Sequence, residues 1–141
     1  MEFRQDQAIY LQIADMMTEN ILSGRWKQGD RIPSIRELAV SIEVNPNTVM
    51  RTYGFLQEQG IIQNQRGIGY FTTENAYETT RDLAKRTFVS RELPRIFKTM
   101  DLLGMSLEDM KELYAARKTG VSSSGADGGQ AAGPARTEER Q

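Results

Sequence analysis

The stretch NPNTVMRTYGFLQEQG, Asn45 to Gly60, opens on side chains suited to reading a surface outside the protein. An Asn amide sets a donor beside an acceptor, which matches N6 and N7 of adenine in a major groove, and this is the role expected of Asn47. Thr48 can meet a thymine methyl or a phosphate, and Asn45 both caps a helix and favours an anion there. Arg36, Arg51 and Arg66 supply planar forks that fit guanine edges and phosphates alike. Gly67, beside Arg66, lets a loop tip enter a narrow groove, where Arg is favoured. This chemistry is recognition and not bond making. The chain holds no His and no Cys, so the commonest general base, a thiolate nucleophile and the usual zinc ligands are all missing. No enzyme and no cofactor are expected.

The elements that must position these residues follow from caps and periodicity. Asp6 is placed to cap a helix running to about Ser23, with Ile9, Ile13, Met17 and Ile21 as its apolar stripe and Gly24 as its stop. A short strand is expected around Arg31 and Ile32. Ser34 and Glu37 form a capping box that opens a second helix through about Ser41. Asn45 caps a third helix, and Pro46 falls at its first position, where a missing N–H costs nothing. Val49, Tyr53 and Leu56 line its inner side and Gly60 ends it. The runs IIQNQ and IGYFT then form a hairpin turning at Arg66 and Gly67. Helix, strand, helix, turn, helix, hairpin is a winged helix-turn-helix. The aromatics Trp26, Tyr53, Tyr70 and Phe71 are expected in its packing, and the methionines as gap fillers.

Beyond residue 75 the pattern is helical. Leu93, Ile96, Phe97, Met100 and Leu103 follow one helical period. Met110, Leu113 and Tyr114 follow another, opened by the pair Ser106 and Asp109. Pro94 predicts a kink or break near Glu92. So short a pair of helices carries a wide apolar side with little to cover it, and with Phe88 these residues are the expected contacts between two chains. The last segment, TGVSSSGADGGQAAGPARTEERQ, is too poor in apolar residues to order itself. The domain reading is therefore 1–75 for a winged helix-turn-helix DNA-binding domain, 76–117 for a two-helix dimerisation region and 118–141 for a disordered tail. The fold class is α+β.

The motifs GDRIPSIRELA, VNPNTVMRTYGFLQEQGII and RGIGYF resemble the GntR family of bacterial transcription regulators, and the short helical C-terminus its YtrA subfamily. The likeness covers residues 8 to about 115. It implies a homodimer that binds a double-stranded operator, usually as a repressor. It also implies Arg36 at bases or backbone, the start of the third helix in a major groove, and Gly67 near a minor groove. One position departs: where many relatives carry an Arg that reads guanine, this chain has Pro46, so their operator preference does not transfer.

Charge offers DNA binding no general support. Residues 1–75 hold 7 basic and 9 acidic side chains, and the whole chain is at −1, so specificity has to rest on local contacts. A protein-interaction adaptor built on a winged helix is the competing reading. No apolar run approaches the roughly 20 residues of a membrane span. The N-terminus lacks a signal-peptide pattern, and a cytoplasmic protein is expected. About 40 residues after the wing are too few to enclose a pocket of ~300 Å³ for an unknown small-molecule effector, unless two chains build it together.

Overall fold

The structure, a computed structural model, describes residues 1–118. The tail expected to be disordered lies outside the described residues, except that Lys118 is the last residue of a helix. The described chain forms two compact units, Met1–Arg91 and a second beginning at Glu92.

The first unit contains α1 (Ile9–Leu22), β1 (Arg31–Ile32), α2 (Ile35–Ile42), α3 (Pro46–Glu58), β2 (Ile62–Gln65), β3 (Gly69–Thr72) and α4 (Ala76–Thr87). Its three antiparallel strands run in the order β1-β3-β2. β3 lies between Ile32, which faces Tyr70, and Ile62, which faces Thr72. The core joins Ile13, Met17 and Ile21 of α1 to Leu38 of α2, Val49, Tyr53 and Leu56 of α3, and Ile61 and Ile62 at the wing. Trp26 and Tyr70 pack against its edge.

Helix α1 departs from expectation at its start. Asp6 does not cap it; the N-cap is Ala8, with no side-chain hydrogen bond. Gln12 supplies the missing order. Its Nε2 donates to the Arg4 and Gln7 carbonyls at 2.7 Å each, and its Oε1 accepts from the Arg4 amide at 2.8 Å. A fully engaged amide can be buried at little cost, and Gln12 is buried. Asp6 accepts from Arg4 Nε instead. Ile9, expected in the apolar stripe, is 44% exposed, because it is the first residue of the helix and the core begins one turn later.

Helices α2 and α3 begin where their caps predict. The Ser34 amide donates to Glu37 Oε1 at 2.9 Å while the Glu37 amide donates to Ser34 Oγ at 3.0 Å. The tight turn between the helices passes through Glu43 in the left-handed region at φ 57°. Two hydroxyls fasten α3 to the rest of the unit. Thr52 Oγ1 donates to the Tyr10 carbonyl of α1 at 2.8 Å, and Tyr53 Oη donates to the Pro33 carbonyl at 2.5 Å. Burial pushes the Tyr53 phenol above its ordinary pKa, so it remains a donor throughout the working pH range.

Helix α4 packs on α1, burying Ala76 and Thr80 and laying Leu83 against the core. The first unit therefore extends to Arg91, whereas the sequence reading closed it at residue 75 and assigned this helix to the dimerisation region. Ala76, Thr80 and Leu83 are too sparse a set to stand out from its polar background.

The second unit contains α5 (Leu93–Leu103) and α6 (Leu107–Lys118). A five-residue π-helical turn, Phe88–Glu92, precedes α5, and Pro94 lies in the first turn of that helix. Proline has no N–H to continue an upstream ladder, and where a kink or break was expected near Glu92 the chain passes through this π-turn without leaving the helix. Gly104 ends α5 in the left-handed region. Ser106 and Asp109 cap α6 reciprocally at 2.9 and 3.0 Å.

Gly54 stands in the interior of α3, and a Cβ built there meets nothing within 4 Å. A mid-helix glycine costs about 1 kcal/mol relative to alanine, with no packing here to offset it. Gly54→Ala is expected to stabilise the unit by about that amount, seen as a rise of several degrees in the thermal melt. An unchanged or lower midpoint would contradict this.

Candidate nucleic-acid interface

Each expected contact residue is placed by the elements just described. Asn45 is the N-cap of α3: its Oδ1 accepts from the Asn47 amide at 2.8 Å. Pro46 has no N–H, and the Asn45 carbonyl accepts from the Thr48 and Val49 amides at 2.9 and 3.3 Å, so what this helix start offers a phosphate is the positive end of its dipole. Asn47 is exposed and Thr48 half-buried. Among the described residues, neither of their own side chains makes a hydrogen bond; it is the Asn47 amide and the Thr48 carbonyl that other side chains engage. Val49, Thr52, Tyr53 and Leu56 face inward, so the opposite side of α3, carrying Asn47, Met50, Arg51 and Gly54, faces solvent.

Arg36 lies in the first turn of α2 and is exposed. The Glu37 carboxylate beside it is occupied by the Ser34 amide. The described ion pairs include Arg4–Asp6 and Lys111–Glu108 and none at Arg36 or Arg66, so these two arginines keep their forks free. Arg51 differs. Its guanidinium sits 4.0 Å above the Tyr10 ring of α1, and Tyr10 meets Phe55 edge to face at 6.3 Å. This cation–π contact draws the side chain toward α1, so Arg51 is oriented from the start and is not the freely reaching group its sequence position suggested.

The wing turns through Arg66, Gly67 and Ile68, closed by the Ile68 amide donating to the Gln65 carbonyl at 2.8 Å. Gly67 has φ 76°, a conformation that suits glycine. Ile68, read from sequence as the start of a strand, belongs to this turn and is exposed. Thr72 ties the wing to the body: its hydroxyl donates to the Lys27 carbonyl at 2.6 Å and accepts from the Asp30 amide at 3.0 Å.

Two residues of this surface escaped the sequence reading. Arg31, on β1, lays its guanidinium against the wing; a Cβ at Gly69 would fall 3.0 Å from its Nε. Gly69 has φ 145°, so that glycine both permits the backbone and makes room for the arginine. The pairing of Arg31 with Phe71 across the sheet brings a further positive charge to the wing base, and no sequence pattern linked two segments so far apart. Met50, read as a gap filler, is 54% exposed on the outer face of α3.

A helix-turn-helix whose second helix presents a free polar first turn, followed by a basic-tipped hairpin, is a winged helix-turn-helix domain. Residues 9–72 match the family of bacterial regulatory proteins designated gntR. The HTH-type transcriptional repressor YtrA of Bacillus subtilis (strain 168) is 40% identical over 109 residues, covering 77% of this chain and 83% of that protein. The HTH-type transcriptional regulator YhcF of the same strain is 38% identical over 112 residues, covering 79% of this chain and 90% of that one. In three dimensions the chain is similar to a GntR family transcriptional regulator from Listeria monocytogenes, with a TM-score of 0.64 and 33% identity over 82% of this chain and 98% of that one. The chain belongs to the gntR family and is a DNA-binding transcription regulator of YtrA-like type.

Proposed function

We propose that this regulator is a repressor acting as a homodimer on an inverted-repeat operator. The observation that carries the reading is the free side chains of Asn47 and Thr48 at the opening of a recognition helix bolted to its core by Thr52 and Tyr53, with the exposed Arg36 on α2. Arg66 and Gly67 of the wing, with Arg31 at its base, would address the flanking backbone and minor groove, and Asn45 and Arg51 would hold phosphates. The name of the YtrA relative supports repression.

The second unit supports dimerisation. Phe97, Leu103, Leu113 and Tyr114 are exposed in the single chain, while Leu93, Ile96, Met100 and Met110 are half-buried. Leu102 and Leu107, which the periodicity did not single out, are 76% and 75% exposed. An open apolar groove of about 470 Å³ runs along Leu107, Met110, Leu113 and Tyr114. Exposed apolar surface of this kind marks an interaction site, and a second copy offers a self-complementary partner. Phe88, assigned to the same interface, lies in the first unit and is also exposed. Any effector pocket would have to be completed by the second chain. No helix among the described residues is long and apolar enough to cross a membrane, which accords with a cytoplasmic regulator.

Two recognition helices related by a two-fold axis would enter major grooves about 10 bp apart or a simple multiple of that. With Pro46 in place of a guanine-reading Arg, the half-site should differ from those of Arg-bearing relatives. Selection of bound duplexes from random DNA, followed by titration at rising salt, tests the reading. The expected result is a two-fold symmetric consensus whose log affinity falls steeply with log salt. Binding that ignores salt, or the absence of any enriched sequence, would favour the adaptor reading instead.

A further inference from the structure

We propose that Met50 is a specificity-determining residue that reads the 5-methyl group of a thymine in the major groove. This rests on the DNA-binding reading and adds a base contact to it. Helix α3 turns Val49, Thr52, Tyr53 and Leu56 into the core, which leaves Asn47, Met50, Arg51 and Gly54 on the outer face. Of these, Gly54 contributes no side chain, and a Cβ there would meet nothing within 4 Å. Arg51 is drawn onto Tyr10, 4.0 Å from its ring. The long side chain that still reaches outward from the second turn is Met50, 54% exposed.

Its chemistry narrows what it can read. A thioether has no donor and is a weak acceptor, so it gains little against the hydrogen-bonding edge of guanine or adenine. The thymine edge alone carries a methyl group in the major groove. An unbranched, polarisable side chain adapts to such a target without demanding one fixed geometry. Asn47 lies three residues earlier, about 4.5 Å along the helix axis, so the two side chains are spaced to address neighbouring base pairs. An adenine for Asn47 and a thymine for Met50 make the helix selective for A·T-rich half-sites. The near-neutral charge of the chain leaves such short-range contacts a large share of the discrimination. A lone exposed methionine is also ordinary on a protein surface, and the experiment separates the two roles.

Using the full chain and the operator obtained by selection, each thymine is replaced in turn by deoxyuridine, which removes only the methyl. Wild type is expected to lose about fourfold in affinity at one thymine of the half-site, the worth of one buried methyl group. Met50→Ala should lose a similar amount on the unmodified operator and be indifferent to deoxyuridine at that position, with an unchanged melting temperature. The proposal is overturned if wild type and Met50→Ala respond alike to every deoxyuridine while Asn47→Ala still weakens binding. If the chain shows no salt-dependent duplex binding at all, the DNA-binding reading itself fails, and the Met50 contact with it.

Discussion

Replacing Asn47 with alanine is expected to weaken binding to the selected operator by about 1–3 kcal/mol, roughly 5- to 150-fold, and to relax the preference at a single base pair of each half-site. The reason is positional. Asn47 is exposed in the first turn of α3, and its backbone amide, not its side chain, is the group that Asn45 engages. Its side-chain amide is therefore free to pair with a base edge, and losing it should leave the fold intact. Arg36→Ala should weaken binding comparably, but its signature discriminates between two contacts. If Arg36 meets phosphate, affinity falls uniformly over all sequences and the salt slope drops by about 1. If it meets guanine, the loss is confined to operators carrying that base. Gel-shift titration of both variants against a panel of single-base operator changes decides the matter. Wild-type affinity in both variants, with unchanged melting curves, would remove these two residues from the interface.

Charging the apolar side of the second unit should have a still larger effect. Phe97→Glu and Leu113→Glu are each expected to convert the proposed dimer to a monomer in sedimentation equilibrium. Affinity for the full operator should then fall by about 10²- to 10⁴-fold, because the second half-site ceases to bind intramolecularly. Affinity for an isolated half-site should stay the same. Both side chains are exposed in the single chain, so the cost to its own stability is small, within about 0.5 kcal/mol. A dimer that persists in both variants would place the interface elsewhere.

The caps were legible because they are local: Ser34 with Glu37, Asn45 with Asn47, and Ser106 with Asp109 each close a hydrogen-bonded turn within four residues. The inner faces of α1 and α3 were legible because a helix buried on one side must repeat its apolar residues at 3.6. Asp6 failed as a cap because Gln12, six residues away, organises the N-terminal segment through three hydrogen bonds. The packing of helix α4 on α1 was not legible, because Ala76, Thr80 and Leu83 form a sparse pattern on a polar helix.

Residue type and spacing thus determined the winged helix-turn-helix, the start of the recognition helix and the absence of His and Cys chemistry. All of these are set by interactions within a turn or two of chain. The tertiary structure decided which side chains of the recognition surface remain free. Arg51 is taken by Tyr10 on another helix, Arg31 is brought to the wing through its sheet partner, and Met50 is left reaching outward. Those outcomes depend on packing between segments distant in sequence, where local preference carries no information about which groups will meet.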